Sequence, residues 1–218
     1  AAHDLQAMLY LLGNDGLGSD ARVTGVRGEW CRVHNISSYD TAVCKIRNDQ
    51  DVPVLIVASH AWAGREERRF RYVWEHGYTE GCWSRGTHLV MHADDREIDY
   101  GPMDQSVKAE LTEFLRCLQT GEKLPCSVHA AKEEVAVSTG LYLSAGRVTT
   151  IPAWEQTLVR GAPNTSEEGD IFPTSQRLTA LLELCYQKSK LPCELGNAFG
   201  NDPIEVGMAQ IEHGLAES

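Results

Sequence analysis

The sequence predicts an α+β fold: a large, mostly antiparallel open β-sheet with helices packed on one face. Three observations carry this expectation. The chain opens on an apolar stripe at helical spacing. From Arg22 to about Tyr100 it breaks into short, β-rich, partly alternating segments separated by polar turns. Two amphipathic stretches, each closed by a glycine, then follow at Asp104–Gly121 and Ser127–Gly146.

In the opening stretch, Leu5, Met8, Leu9 and Leu12 fall at i, i+3, i+4 and i+7, which buries one side of a helix. Gly13 follows the last apolar residue, where a left-handed cap is cheapest for glycine. His3, Gln6 and Tyr10 lie together away from the stripe, so the helix offers an imidazole, an amide and a phenol outward. The glycine-rich Gly13–Asp20 follows a helix and not a strand, and it lacks the G-x-G-x-x-G spacing. It therefore does not read as a dinucleotide cradle.

Arg22–His34, Thr41–Arg47 and Val52–Trp62 read as strands, the last two joined by the polar turn Asn48–Asp51. Arg69–His76 alternates, with Phe70, Tyr72 and Trp74 on one side and Arg69, Arg71 and Val73 on the other. Tyr78–Trp83, Thr87–His92 and Glu97–Tyr100 complete the series. Consecutive strands on short turns imply antiparallel pairing. Val107, Leu111, Phe114, Leu115 and Leu118 then mark a helix that Asp104 can cap, and Ser127 can cap the next. A short strand, Val148–Ile151, leads to Pro152. Residues 1–152 are expected to form one domain and 153–218 an extension. In the extension Thr157–Asp170 reads as a loop, a helix is expected at about 174–189, and Gly196–Ser218 shows no clear element.

Composition narrows the function classes. The chain has 218 residues, 42% hydrophobic and 23% charged, which suits a globular protein with a sizeable core. A net charge of −11 argues against nucleic acid or anionic membrane as partner. No run approaches the roughly 18 apolar residues of a membrane span, and no basic-then-apolar leader opens the chain. Seven widely spaced cysteines without a C-x-x-C pair suit reduced thiols, hence a cytoplasmic setting. The first residue is not methionine, which reads as a chain cut from a longer one. Asn35-Ile36-Ser37 and Asn164-Thr165-Ser166 match glycosylation sequons that, without a secretory signal, are read as chance.

His-x-x-(Asp)-x-x-Leu-x-Leu-Leu-Gly, from His3 to Gly13, resembles the helix opening the C-terminal domain of the Gfo/Idh/MocA oxidoreductases, named for glucose–fructose oxidoreductase and inositol dehydrogenase. The family pattern is Asp-x-x-x-His-x-x-Asp. Here Gln6 stands in the place of the second aspartate, and the first would fall before Ala1. A second agreement lies far along the chain: helix, Thr120-Gly121-Glu122, Leu124-Pro125-Cys126, helix, then Ser144-Ala145-Gly146-Arg147 and Ile151-Pro152. The resemblance implies a substrate-binding and oligomerisation domain without a Rossmann domain of its own. The parent would hold NAD or NADP on that missing N-terminal domain and act on a sugar or polyol carbinol. No cofactor is expected on this chain alone, which is then inactive by itself. A homo-oligomer through the sheet is implied as well.

In that reading His3 is the catalytic candidate, because imidazole exchanges protons near neutral pH. Gln6 can hydrogen-bond a substrate hydroxyl but cannot act as a base. Tyr10 faces the substrate or the missing domain. His60, closing the apolar run Val54–Ala61, is a further substrate-binding candidate. His88 and His92 invite a metal reading only on a helix; on a strand, positions four apart are about 13 Å apart, too far for one zinc, so no metal site is expected. Trp30, Trp62, Trp74 and Trp83 suit sheet packing or an interface better than sugar stacking. Arg65–Arg71, interrupted by acids, reads as a solvated hairpin face. The competing reading is a non-catalytic assembly module that pairs through an open sheet face.

Overall fold

A computed structural model of the chain describes residues 2–13, 21–64, 68–82, 88–94, 96–102, 107–124, 128–160, 171–200 and 202–216. The order is α1 (Ala2–Leu12), β1 (Val23–Arg32), β2 (Thr41–Asn48), β3 (Val54–Ser59), β4 (Arg69–Trp74), β5 (Gly77–Cys82), β6 (His88–Ala93) and β7 (Arg96–Pro102). Then come α2 (Val107–Thr120), α3 (Val128–Ala145), β8 (Thr149–Thr150), β9 (Thr157–Arg160), β10 (Ile171–Thr174), α4 (Gln176–Lys188), β11 (Val206–Gly207) and α5 (Met208–Ala216). The class is α+β. Its sheets are open and mostly antiparallel, and β8 on β1 is the one parallel pairing between described strands.

The chain divides into two compact units, residues 1–63 with 123–218, and residues 64–122. The first is built on a five-stranded sheet in the order β11-β1-β2-β3, with β8 also on β1. Pleating sends Val26 and Trp30 of β1, with Ala42, Cys44 and Ile46 of β2, to one face. There they pack on Leu5 and Leu9 of α1, on Ala136, Val137, Leu141 and Ala145 of α3, and on Ile211 of α5. Helix α3 lies tight against β1 because Gly28 leaves room: a Cβ there would stand 2.5 Å from Leu141 Cδ1 and 2.9 Å from the Val43 carbonyl oxygen. The buried Ser144 hydroxyl spans the same junction, accepting from Gly28 N–H at 2.9 Å and donating to the Ile204 carbonyl at 2.5 Å.

Helices on one face is the sequence expectation; the other face of this sheet is covered too. Cys31, Val33 and Val43 pack there against Leu178, Leu182 and Cys185 of α4, with Leu191 and Phe199 beyond it. Glu29, 2% exposed, points to this side from β1 and accepts from Cys193 N–H at 2.8 Å and Phe199 N–H at 2.9 Å. A buried carboxylate is tolerable only with such donors. Lys45 and Arg27 reach Glu194 at 2.6 and 3.4 Å, and Arg47 pairs with Glu205. Ser175 caps α4 by accepting from Leu178 N–H at 3.2 Å.

Three local readings change. Thr157–Asp170 is not all loop, since Thr157–Arg160 pairs antiparallel with Ile171–Thr174; Pro173, which by itself suggests a helix start, hides the strand. Gly13 closes α1 in a tighter final turn, its N–H bonding to the Tyr10 carbonyl at 3.2 Å. The glycine-broken C-terminal stretch contains β11, which docks on β1, and α5. Trp83, Asp104, Ser127 and the second sequon lie outside the described residues.

The second unit contains a four-stranded meander, β4-β5-β6-β7, and α2. The expected single large sheet is thus divided, among the described residues, into separate paired sets. On one face of the meander Phe70, Tyr72 and Trp74 form a ladder of rings 5.2 and 6.2 Å apart. Trp74 Nε1–H donates to Thr79 Oγ1 at 2.8 Å. Gly77 does not end β4 but starts β5, and a Cβ there would fall 1.8 Å from the His92 carbonyl oxygen. Gly77→Ala is therefore expected to loosen the meander, at a cost at or above about 1–3 kcal/mol. Hydrogen exchange should show lost protection confined to β5 and β6, whereas unchanged protection would contradict the close approach.

Candidate functional site

The first turn of α1 carries His3, which is exposed, while Leu5 and Leu9 are 4% and 0% exposed. Met8 and Leu12 pack half-buried on the same core. Gln6 and Tyr10 are half-buried, and Leu11, on the far side, is exposed. The arrangement follows from the sequence: the i, i+3, i+4, i+7 stripe fixes the rotation of the helix. A side chain off the stripe then cannot reach the core without lifting the leucines out. Imidazole, amide and phenol thus stand on one helix bound to a rigid sheet, a setting that keeps such groups oriented.

His60 lies elsewhere in the local bonding. It is exposed, just beyond β3, and its backbone N–H donates to the Asp40 carbonyl at 2.9 Å. Asp40 belongs to a group that sequence reasoning did not single out. Its carboxylate Oδ2 accepts from Val33 N–H at 2.8 Å, from His34 N–H at 2.7 Å and from the His34 ring at 2.7 Å. Oδ1 accepts from Thr41 Oγ1 at 2.9 Å, and Thr41 shares a 2.8 Å bond with Ser59 Oγ. Burial pushes the Asp40 carboxyl up, but these donors outweigh it and hold it below the usual carboxylate range. An ionised carboxylate can only accept, so the shared proton sits on His34 Nδ1. The signal available in the sequence was an Asp beside the start of a strand, facing a His across a short polar turn. His34 also touches the edge of Phe172 at 6.4 Å. The group ties the β1–β2 turn to the end of β3.

His88 and His92 do share strand β6. His92 stacks on Tyr78 at 4.4 Å and stands 3.8 Å from Glu80 and 3.7 Å from Glu97. Among the described residues no group of three or more His, Cys, Asp or Glu side chains could hold a metal. The glycine-rich segment follows α1 and not a strand, and residues 14–20 of it lie outside the described residues. No helix among the described residues is long and apolar enough to cross a membrane. Trp30 is core, its Nε1–H donating to the Gly146 carbonyl at 3.1 Å and its ring stacked on Tyr39 at 4.7 Å.

An open antiparallel sheet faced by α1 and α3 defines the class: an α+β domain. Neither a family model nor a curated protein matches the chain. Solved structures do. UDP-N-acetylglucosamine 3-dehydrogenase from Acidithiobacillus ferrooxidans is similar at a TM-score of 0.54 and 20% identity, over 64% of this chain and 45% of that one. A candidate NADPH-dependent oxidoreductase from Desulfitobacterium hafniense follows at 0.53 and 12%, over 64% and 42%. A candidate oxidoreductase from Erwinia carotovora matches at 0.50 and 15%, over 69% and 46%. The chain therefore spans less than half the length of each of these structures. The fold is that of part of these oxidoreductase structures.

Proposed function

We propose that this chain is the substrate-binding and oligomerisation part of an NAD(P)-dependent oxidoreductase that acts on a sugar or polyol carbinol, or on the corresponding ketone. One observation carries the reading: α1 is pinned by Leu5 and Leu9 while His3 stays exposed on its first turn. The similar dehydrogenase from A. ferrooxidans, named for a nucleotide sugar, supports the substrate class. The hydride acceptor comes from outside this chain, on an N-terminal Rossmann domain. Within the chain, His3 accepts or returns the hydroxyl proton, or orients the hydroxyl. Gln6 and Tyr10 hydrogen-bond neighbouring hydroxyls without taking a proton. His60 is kept as a second substrate contact from the β3 end. Reduced thiols fit a cytoplasmic setting; none of the six described cysteines is in a disulfide.

The test has two arms. The isolated 218-residue chain should give no calorimetric isotherm with NAD or NADP, and micromolar binding would overturn the division of labour. In the longer enzyme, His3→Ala should lower kcat by about 10²–10⁴-fold, the usual worth of a placed acid–base group. A kcat within a factor of about three of the parent would remove His3 from the chemistry.

A second reading is favoured by a specific observation. In the β4–β7 meander Arg71 and Val73 of β4 and Glu97 and Asp99 of β7 are exposed, which suits an assembly module pairing copies of the chain.

A further inference from the structure

Asp40 is held more elaborately than a turn requires. Closing the β1–β2 connection takes two backbone donors on Oδ2, Val33 N–H and His34 N–H. The His34 ring and the Thr41 hydroxyl are added to these. The direction of the hydrogen bonds follows from their ends. Ala61 N–H donates to Ser59 Oγ at 3.0 Å, and Thr41 Oγ1–H is given to Asp40. Ser59 Oγ–H then goes to Thr41, so every proton in the row points at the carboxylate. Asp40 is 6% exposed, and of its four donors only the imidazole can take up positive charge.

The carboxylate also fixes the tautomer. With Nδ1–H on Asp40, the ring lone pair sits on Nε2. Among the described residues Nε2 has no hydrogen-bond partner. The His34 side chain keeps 19% of its surface, against 3% for that of Asp40. Nδ1 lies against the enclosed carboxylate, so the accessible part of the ring is its far side, where Nε2 is. The edge of Phe172 flanks the ring at 6.4 Å.

We infer that Asp40 and His34 form a nucleophilic pair, in which His34 Nε2 takes an acyl group from an activated acyl donor. The Nε2 lone pair forms a bond to the acyl carbon. The bond from that carbon to the leaving oxygen breaks, and the leaving group departs with the electron pair. The ring is cationic at that point, with its Nδ1–H on the ionised Asp40. The Nδ1 proton then passes through solvent to the departing oxyanion, which leaves a neutral acyl-imidazole. Asp40 supplies what a free imidazole lacks: a lone pair fixed in one place, and a negative charge already set against the ring as it turns positive. The pair belongs to the β1–β2 turn and depends neither on α1 nor on the oxidoreductase reading.

Diethyl pyrocarbonate, an activated acyl donor, tests this on the whole 218-residue chain at neutral pH, with each histidine followed by peptide mass spectrometry. His60 is the internal standard, because it is exposed while His34 is half-buried. Accessibility alone makes His34 the slower of the two. The pair should make it the faster, by about tenfold, a small part of what an orienting carboxylate is worth in a catalytic triad. Asp40→Asn keeps an oxygen for the three N–H donors and removes the charge. It should slow His34 at least about tenfold and leave His60 unchanged. An unaltered near-UV circular dichroism spectrum then separates the lost charge from a lost turn. A wild-type chain whose His34 reacts no faster than His60 would overturn the inference, whether or not the variant folds. A folded Asp40→Asn chain whose His34 still reacts at the wild-type rate would overturn it as well.

Discussion

Leu9→Ala should destabilise the first unit by about 2–5 kcal/mol, the range for removing a fully buried leucine from a packed core. Leu9 is 0% exposed and belongs to the cluster shared by α1, α3 and the sheet. Its carbonyl also accepts from Ala21 N–H at 3.0 Å, which ties α1 to the entry of β1. The alanine therefore leaves a cavity that neighbours fixed on both sides cannot close. Leu11→Ala is the matched control: Leu11 is 49% exposed and its truncation should cost under about 0.5 kcal/mol, as at other surface sites. Urea denaturation of the three proteins gives the comparison. Equal costs for the two leucines would mean that α1 is not docked by the side described. The outward stance of His3, on which the proposed chemistry depends, would then lose its support.

The second large effect is alkaline loss of stability. Burial pushes the thiols of Cys31, Cys44 and Cys185 up to about 12, against about 9 for a free thiol. For Cys31 the nearby Asp40 charge adds to burial, and for Cys185 the Glu29 charge does. The sign is fixed by which state holds the proton more tightly. The folded chain does, so the stabilisation is fully present below pH 9, where unfolded thiols are also protonated. It is lost as pH rises from about 9 to about 12 and the unfolded chain ionises first. At 1.36 kcal/mol per pH unit, Cys44 alone contributes on the order of 4 kcal/mol across that window. Denaturation midpoints should hold constant from pH 7 to 8 and fall steeply above 9. Iodoacetamide at neutral pH should spare these three thiols in the native chain and label them in urea. Rapid native labelling of Cys44 would show that its burial has been misjudged.

The region around Asp40 illustrates where sequence reading reaches its limit. The strands on either side of it were legible, since Arg22–His34 and Thr41–Arg47 differ from β1 and β2 by only a residue or two at their ends. That His34, Asp40, Thr41 and Ser59 share one set of hydrogen bonds was not legible, because it depends on β3 returning beside β2. Glu29 is a clearer case. In sequence it is one carboxylate in an alternating strand; its role appears only when the backbone around Cys193 and Phe199 arrives to donate two hydrogen bonds. The docked side of α1, by contrast, was legible, because the spacing of Leu5 and Leu9 is set within one helix.

By itself, then, the sequence determined what local periodicity can encode: α1 and its two sides, the antiparallel strands, the amphipathic helices, and the α+β class they compose. Apolar spacing fixes which side of an element is buried, and that needs no knowledge of the partner. The tertiary structure alone decided which elements meet. Among the described residues it set the strands in separate paired sets, brought α4 onto the second face of the five-stranded one, and placed β11 against β1. Those choices depend on contacts between residues far apart in the chain. There, the shape of Gly28 against Leu141 or the need of Glu29 for donors outweighs any preference the local sequence expresses.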